Sequence, residues 1–197
     1  MTLIYLMMGE ILDIPLYGVL MPGHIYVRYK EEGRAGVNVE TTMSGMEIYH
    51  YARHFGLSIA NEDGSIYGKE LNKYQVLGAY LNNLGNYYLV FGETEKAKIL
   101  FKKSIGILPA LPESYANLGM ARYYEKDFEG AASVFEKGIS RNPERPGLHI
   151  LAAEAFLAAK LPGKAKTHAR EAYRLSGKTS RAAKKLLEKI RMSDHGK

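Results

Sequence analysis

The spacing of apolar positions changes character near Gly78. From there on apolar residues recur every three or four positions, the period of helices with one buried face. They predict helices over about 70–91, 94–107, 112–125, 128–141, 146–159, 163–175 and 180–191. The stop signals agree. Phe91-Gly92 ends the first helix, Pro109 follows the second, and Asn142-Pro143 closes the fourth. Pro162 stands where a helical first turn tolerates proline. Thr179 or Ser180 is the candidate cap of the last helix, with Ala182, Ala183, Leu186, Leu187 and Ile190 as its buried stripe and Lys184, Lys185, Lys189 and Arg191 on its other face. The first 77 residues read differently. Leu3, Ile4, Leu6, Met7, Ile11 and Leu12 predict a buried helix over Met1–Leu12, stopped by Asp13-Ile14-Pro15. Strands are predicted at Leu16–Leu20, His24–Tyr29 and Val37–Glu40, separated by Pro22-Gly23 and the charged turn Lys30–Gly36. The fold class is therefore mainly α: an array of helical hairpins at residues 69–197, preceded by a small α+β fragment at 1–68.

The helical part repeats. Gly85 and Gly119, Ala97 and Ala131, Phe101 and Phe135, and Pro109 and Pro143 are each 34 residues apart. The units read Leu81-x-x-Leu84-Gly85-x-x-Tyr88 and Tyr115-x-x-Leu118-Gly119. Each continues through Ala-x-x-x-Phe to the proline. This order and period resemble the tetratricopeptide-repeat family. Paired helices can nest only where side chains are small. Gly85, Ala97 and Ser104 meet that need in one unit, and Gly119, Ala131 and Gly138 in the next. Continuing the period reaches Ala153, Ala165 and Ala172, so a third unit is expected over about 146–179. Ala169 replaces its Phe and Gly177 its Pro, as suits a terminal unit facing solvent, and the last helix caps the open end.

In such arrays the first helix of each unit lines a concave surface. By register Asn82, Asn83, Asn86, Leu89 and Val90 belong to it, then Asn117, Met120, Tyr123 and Tyr124, then Ile150, Glu154 and Leu157. The amides suit an extended peptide backbone, since each donates and accepts; local bonding within the array is the alternative. Tyrosines add contact area at low entropic cost. The implied partner is a protein or extended peptide. Repeats of this family that hold chaperone C-termini use cations on their first helices. The matching positions here are Asn82, Asn86, Asn117, Gly147 and Leu151, with no cation among them, so tight capture of a free carboxylate by those positions is not expected.

The N-terminal part carries Ile14-Pro15-Leu16-Tyr17-Gly18-Val19, Pro22-Gly23-His24-Ile25-Tyr26-Val27-Arg28 and Asn38-Val39-Glu40-Thr41-Thr42. These pieces resemble the transglutaminase-like superfamily, and within it bacterial proteins that join such a domain to tetratricopeptide repeats. The resemblance implies a cysteine nucleophile at the start of the helix, His24 as its base and Glu40 as the acid that orients the histidine. The nucleophile position falls just before Met1. Thr2 stands nearby and, without an adjacent base, is a poor substitute. This chain is therefore not expected to turn over substrate by the covalent route. The rival expectation is a truncated cysteine peptidase or acyltransferase with its nucleophile upstream.

Composition narrows the rest. Cysteine is absent, which removes disulfides and thiolate chemistry from this sequence. No cofactor and no metal are predicted: His50 and His54 share a helical face with Glu47 nearby, but no third ligand is evident. No run of residues reaches the roughly 20 apolar positions of a membrane span, and the expectation is a soluble, cytoplasmic protein. The net charge is +6, unevenly spread: residues 1–77 carry −3, residues 78–159 are neutral, and residues 160–197 carry +9. The basic end is either a solvated helix or a surface for an acidic partner. An apolar N-terminal helix with little to cover it also predicts either self-association, as a homo-oligomer, or poor order of that part.

Overall fold

A computed structural model describes residues 1–21, 23–41 and 66–195. The chain divides into two compact units, Met1–Tyr80 and Leu81–Lys197. The predicted histidine pair, His50 and His54, lies outside the described residues.

In the first unit, helix α1 (Thr2–Ile11) precedes strands β1 (Leu16–Met21), β2 (His24–Tyr29), β3 (Val37–Val39) and β4 (Glu70–Leu71). The sheet order is β3-β2-β1-β4, antiparallel throughout. β1 and β2 form a tight hairpin that pairs Leu16 with Tyr29 and Met21 with His24. Gly23 in its loop has φ of 73°, the left-handed region that such short turns demand and glycine supplies at least cost. Val19, Met21 and Tyr26 form a buried cluster, and Leu6, Val27 and Leu71 are buried as well. α1 packs on β1 and β2. Helix α2 (Lys73–Val90) begins in this unit, and its Val76 sits where Gly18 leaves room: a Cβ on Gly18 would fall 2.3 Å from Val76 Cγ2.

Two expectations change here. The helix predicted from residue 70 starts at Lys73, because Glu70 and Leu71 pair with Val19 and Gly18 as β4. Two residues are too few to show a period, and their partners lie some fifty positions away. The buried helix predicted at the N-terminus is apolar on all sides, and a sheet covers only one stripe of it. Thr2, Leu6 and Gly9 are buried. Ile4, Met7, Met8, Ile11 and Leu12 are each more than half exposed among the described residues.

The second unit takes in the C-terminal part of α2, from Leu81. It continues through α3 (Thr94–Ile107), α4 (Pro112–Tyr124), α5 (Phe128–Arg141), α6 (Pro146–Ala158), α7 (Pro162–Leu175) and α8 (Arg181–His195). Proline opens α4, α6 and α7, where its missing N–H costs no hydrogen bond. Successive helices pack as hairpins, α4 on α5 and α6 on α7, and α8 closes against α7. The core is built of the repeating small and aromatic positions: Ala97, Phe101, Ala131, Phe135, Ala165 and Ala169 are fully buried. Gly85 lies against the ring of Phe101 and Gly119 against the ring of Phe135. Where the third position is serine, the Ser104 and Ser114 hydroxyls bond each other at 2.7 Å, so neither buried oxygen lacks a partner.

The turn inside each hairpin repeats as well. Gly92, Lys126 and Lys160 are 34 apart and have φ of 78°, 66° and 62°. At each, the N–H donates to the carbonyl three residues back: Leu89, Tyr123 and Leu157. The next N–H donates five residues back, to Tyr88, Arg122 and Phe156. This is the double bond that closes a helix on a left-handed residue. Only the first of the three is glycine, so the sequence alone shows a stop at Gly92 and none at the lysines. Of the two candidate caps of α8, Ser180 is the one used: its Oγ accepts from the Ala183 N–H at 3.2 Å.

Candidate functional site

The first helices α4 and α6 and the closing helix α8 border a groove of about 550 Å³. Its lining is Tyr123 from α4, Glu154, Leu157 and Ala158 from α6, and Ala182, Lys185, Leu186 and Lys189 from α8. The residues arise from simple local rules. Glu154, Leu157 and Ala158 follow at three- and four-residue steps on α6, as do Ala182, Lys185, Leu186 and Lys189 on α8, so each set shares one face. Tyr123 is held by an edge-on contact with Phe128, ring centroids 5.0 Å apart. The floor is apolar and the rim carries both signs of charge.

The residues read from the sequence as groove positions do not all sit together. Tyr123, Glu154 and Leu157 line this groove. Leu89 and Met120 are partly buried and pack on the hydrophobic core. Asn83, Asn86 and Tyr124 are exposed. Asn82 is turned inward and buried. It accepts from Asn117 Nδ2 at 3.0 Å and donates to Asn83 Oδ1 at 3.3 Å, so the alternative of bonding within the array describes this pair. Lys185 and Lys189, read from the sequence as part of an outward polar face, line the groove instead. Their signal was legible in hindsight as a single three- and four-residue period on α8. What was missing was the angle at which α8 meets α6.

In the first unit His24 opens β2 and Glu40 follows β3, strands that are neighbours in the sheet. His24 Nε2 and Glu40 Oε2 stand 2.7 Å apart. The Glu40 side chain is only 2% exposed, and its carboxyl group finds a hydrogen-bond partner in His24. Thr2, in the first turn of α1, reaches the same corner: its Oγ1 lies 2.9 Å from Thr41 Oγ1 and 3.4 Å from the Ile25 carbonyl. Among the described residues no helix is long and apolar enough to cross a membrane.

Residues 112–145, covering α4, α5 and the turn after them, match the model of the tetratricopeptide repeat family. No curated protein matches the sequence. Several solved structures are similar in fold. The second tetratricopeptide domain of human RPAP3, in complex with an HSP70 peptide, aligns with a TM-score of 0.55 at 19% identity, over 59% of this chain and 98% of that one. The Sgt2 tetratricopeptide domain of Aspergillus fumigatus aligns with a TM-score of 0.56 at 22% identity, over 60% and 80%. The Yersinia enterocolitica secretion chaperone SycD, bound to a peptide of the translocator YopD, aligns with a TM-score of 0.54 at 18% identity, over 59% and 93%. With the 34-residue period, the small residues at the helix crossings and the repeated turns, these likenesses show that the helical hairpins of this chain have the fold of tetratricopeptide repeats, with one repeat matched at residues 112–145.

Proposed function

We infer that the array is a protein-interaction module whose groove between α4, α6 and α8 receives an extended segment of a partner. The observation that carries this reading is the lining: an apolar floor of Leu157, Ala158 and Leu186 flanked by Tyr123 and by charged rims. Such a surface suits a peptide, which brings apolar side chains to bury and backbone groups to satisfy. The fold neighbours that hold HSP70 and YopD peptides favour the same use. Panning a random peptide library on the whole protein tests it. Recovered peptides are expected to bind the native protein and to lose binding to Ala158→Arg, which fills the groove without removing core atoms. Recovery of none, or binding indifferent to Ala158→Arg, refutes the reading.

A second reading concerns the first unit. The short His24–Glu40 pair, its buried carboxylate and the adjacent start of α1 favour a transglutaminase-like corner that keeps base and orienting acid. It has no thiol to activate, because the sequence contains no cysteine. Its test is Thr2→Cys. In this reading the thiol alkylates faster at neutral pH than a free cysteine and slows when His24 is replaced by Ala. An alkylation rate equal to that of a free thiol, unchanged by His24→Ala, refutes it.

A further inference from the structure

The groove has a charge pattern that names the chemistry of its guest. Lys185 and Lys189 both line it, both are exposed, and neither has an ion-pair partner within 4 Å among the described residues. They stand on α8 four positions apart, about 6 Å along the helix axis. In an extended peptide, side chains two residues apart point the same way and are about 6.7 Å apart. A strand lying along α8 thus brings two side chains, two residues apart, to Lys185 and Lys189. The residue between them points the other way, toward Tyr123 on α4, across the apolar floor of α6. Glu154, on the α6 rim, disfavours a guest that is negative on both faces.

Resting on the peptide-groove reading above, we propose that the array selects an internal, extended segment of the form acidic–apolar–acidic. Its carboxylates pair with Lys185 and Lys189 and its apolar side chain meets Tyr123. This differs from capture of a chain end. The first-helix positions that would hold a terminal carboxylate are Asn82, Asn86, Asn117, Gly147 and Leu151, none of them cationic. The cations enter from α8 and address side chains.

The test uses the full chain and three labelled dodecapeptides with acetylated and amidated ends: alternating Glu and Leu, alternating Gln and Leu, and the first composition with its glutamates grouped at one end. Fluorescence anisotropy is read at 50 and 300 mM salt. The alternating acidic peptide is expected to bind about tenfold more tightly than the other two at low salt, and to lose most of that margin at high salt. Lys185→Ala/Lys189→Ala is expected to abolish the margin while leaving the thermal midpoint in place, since both side chains are exposed and alanine favours helix. Equal affinity for the acidic and neutral peptides, a margin that survives the double substitution, or no binding by any of the three overturns the proposal. The library panning separates the two claims. Neutral peptides recovered there and lost on Ala158→Arg leave the groove reading standing while this proposal falls; recovery of none removes both.

Discussion

Asn117 on α4 donates from Nδ2 to Oδ1 of Asn82 on α2 at 3.0 Å, tying the first helices of two neighbouring hairpins side by side. Asn82 is buried, so its amide is spent inside the array and the open surface loses one of its sequence-expected polar anchors. Asn117→Ala is expected to lower stability by about 1–2 kcal/mol, because a buried carbonyl oxygen loses its donor. Asn82→Ala removes the buried amide itself and leaves unpaired only the half-buried Asn117 and the exposed Asn83, which water can reach, so it is expected to cost less. Urea unfolding of the two variants checks the order, and neither should alter the peptide selectivity proposed for the groove.

The crossing of α4 and α5 leaves no space at Gly119. A Cβ there would lie 2.3 Å from Phe135 Cε1, and Phe135 is fully buried with nowhere to swing. Gly119→Ala is expected to destabilise the array by about 2–3 kcal/mol despite alanine's better helix propensity. Adding Phe135→Leu shortens the clashing ring and should recover part of that loss, a coupling that a double-mutant cycle measures.

Lys126 and Lys160 hold the left-handed turns that Gly92 holds in the first hairpin. A side chain in that conformation costs about 1 kcal/mol, partly offset by glycine's greater freedom in the unfolded chain. Lys126→Gly and Lys160→Gly are each expected to raise stability by about 0.5 kcal/mol, read as a higher urea midpoint at unchanged slope.

Burial, then the neighbouring His149, holds the His168 imidazole below the usual histidine pKa; Glu136 opposes this and Lys164 adds to it. His149 Nε2–H donates to the Pro143 carbonyl at 3.1 Å, which leaves its Nδ1 to accept from His168 Nδ1–H at 3.2 Å. Because the folded pKa is depressed, the unfolded chain takes up the proton first as the solution is acidified. Stability from this site is complete above about pH 6.5 and falls below it, down to the folded value. Thermal melts from pH 8 to pH 5 should show the midpoint dropping below pH 6.5, and His168→Gln should flatten that drop. A midpoint that rises on acidification contradicts the assignment.

Legibility in the sequence followed the range of each interaction. Helix-crossing positions announce themselves, because Gly85, Gly119, Ala97 and Ala131 must be small whatever else the chain does, and the requirement returns every 34 residues. The same holds for the prolines that open helices and for the two long strands, whose hairpin is local. The turn lysines were hidden because their conformation is imposed by the bonds to Tyr123 and Leu157 and not by a residue type. β4 was hidden because its two residues acquire an identity only from β1. The exposed side of α1 was hidden because hydrophobicity records what a helix can bury, and only the sheet decides how much of it is covered.

The sequence by itself determined the architecture of the repeats: period, helix number over residues 78–191, small crossings and the basic C-terminal end. Steric exclusion and helical periodicity act over a few residues and leave their mark in the order of the chain. Only the tertiary structure decided what faces the groove. It turned Asn82 inward and brought Lys185 and Lys189 in from α8. Each of these depends on the angle or register at which two separate elements meet, and that is set by packing over the whole unit, which no local run of residues encodes.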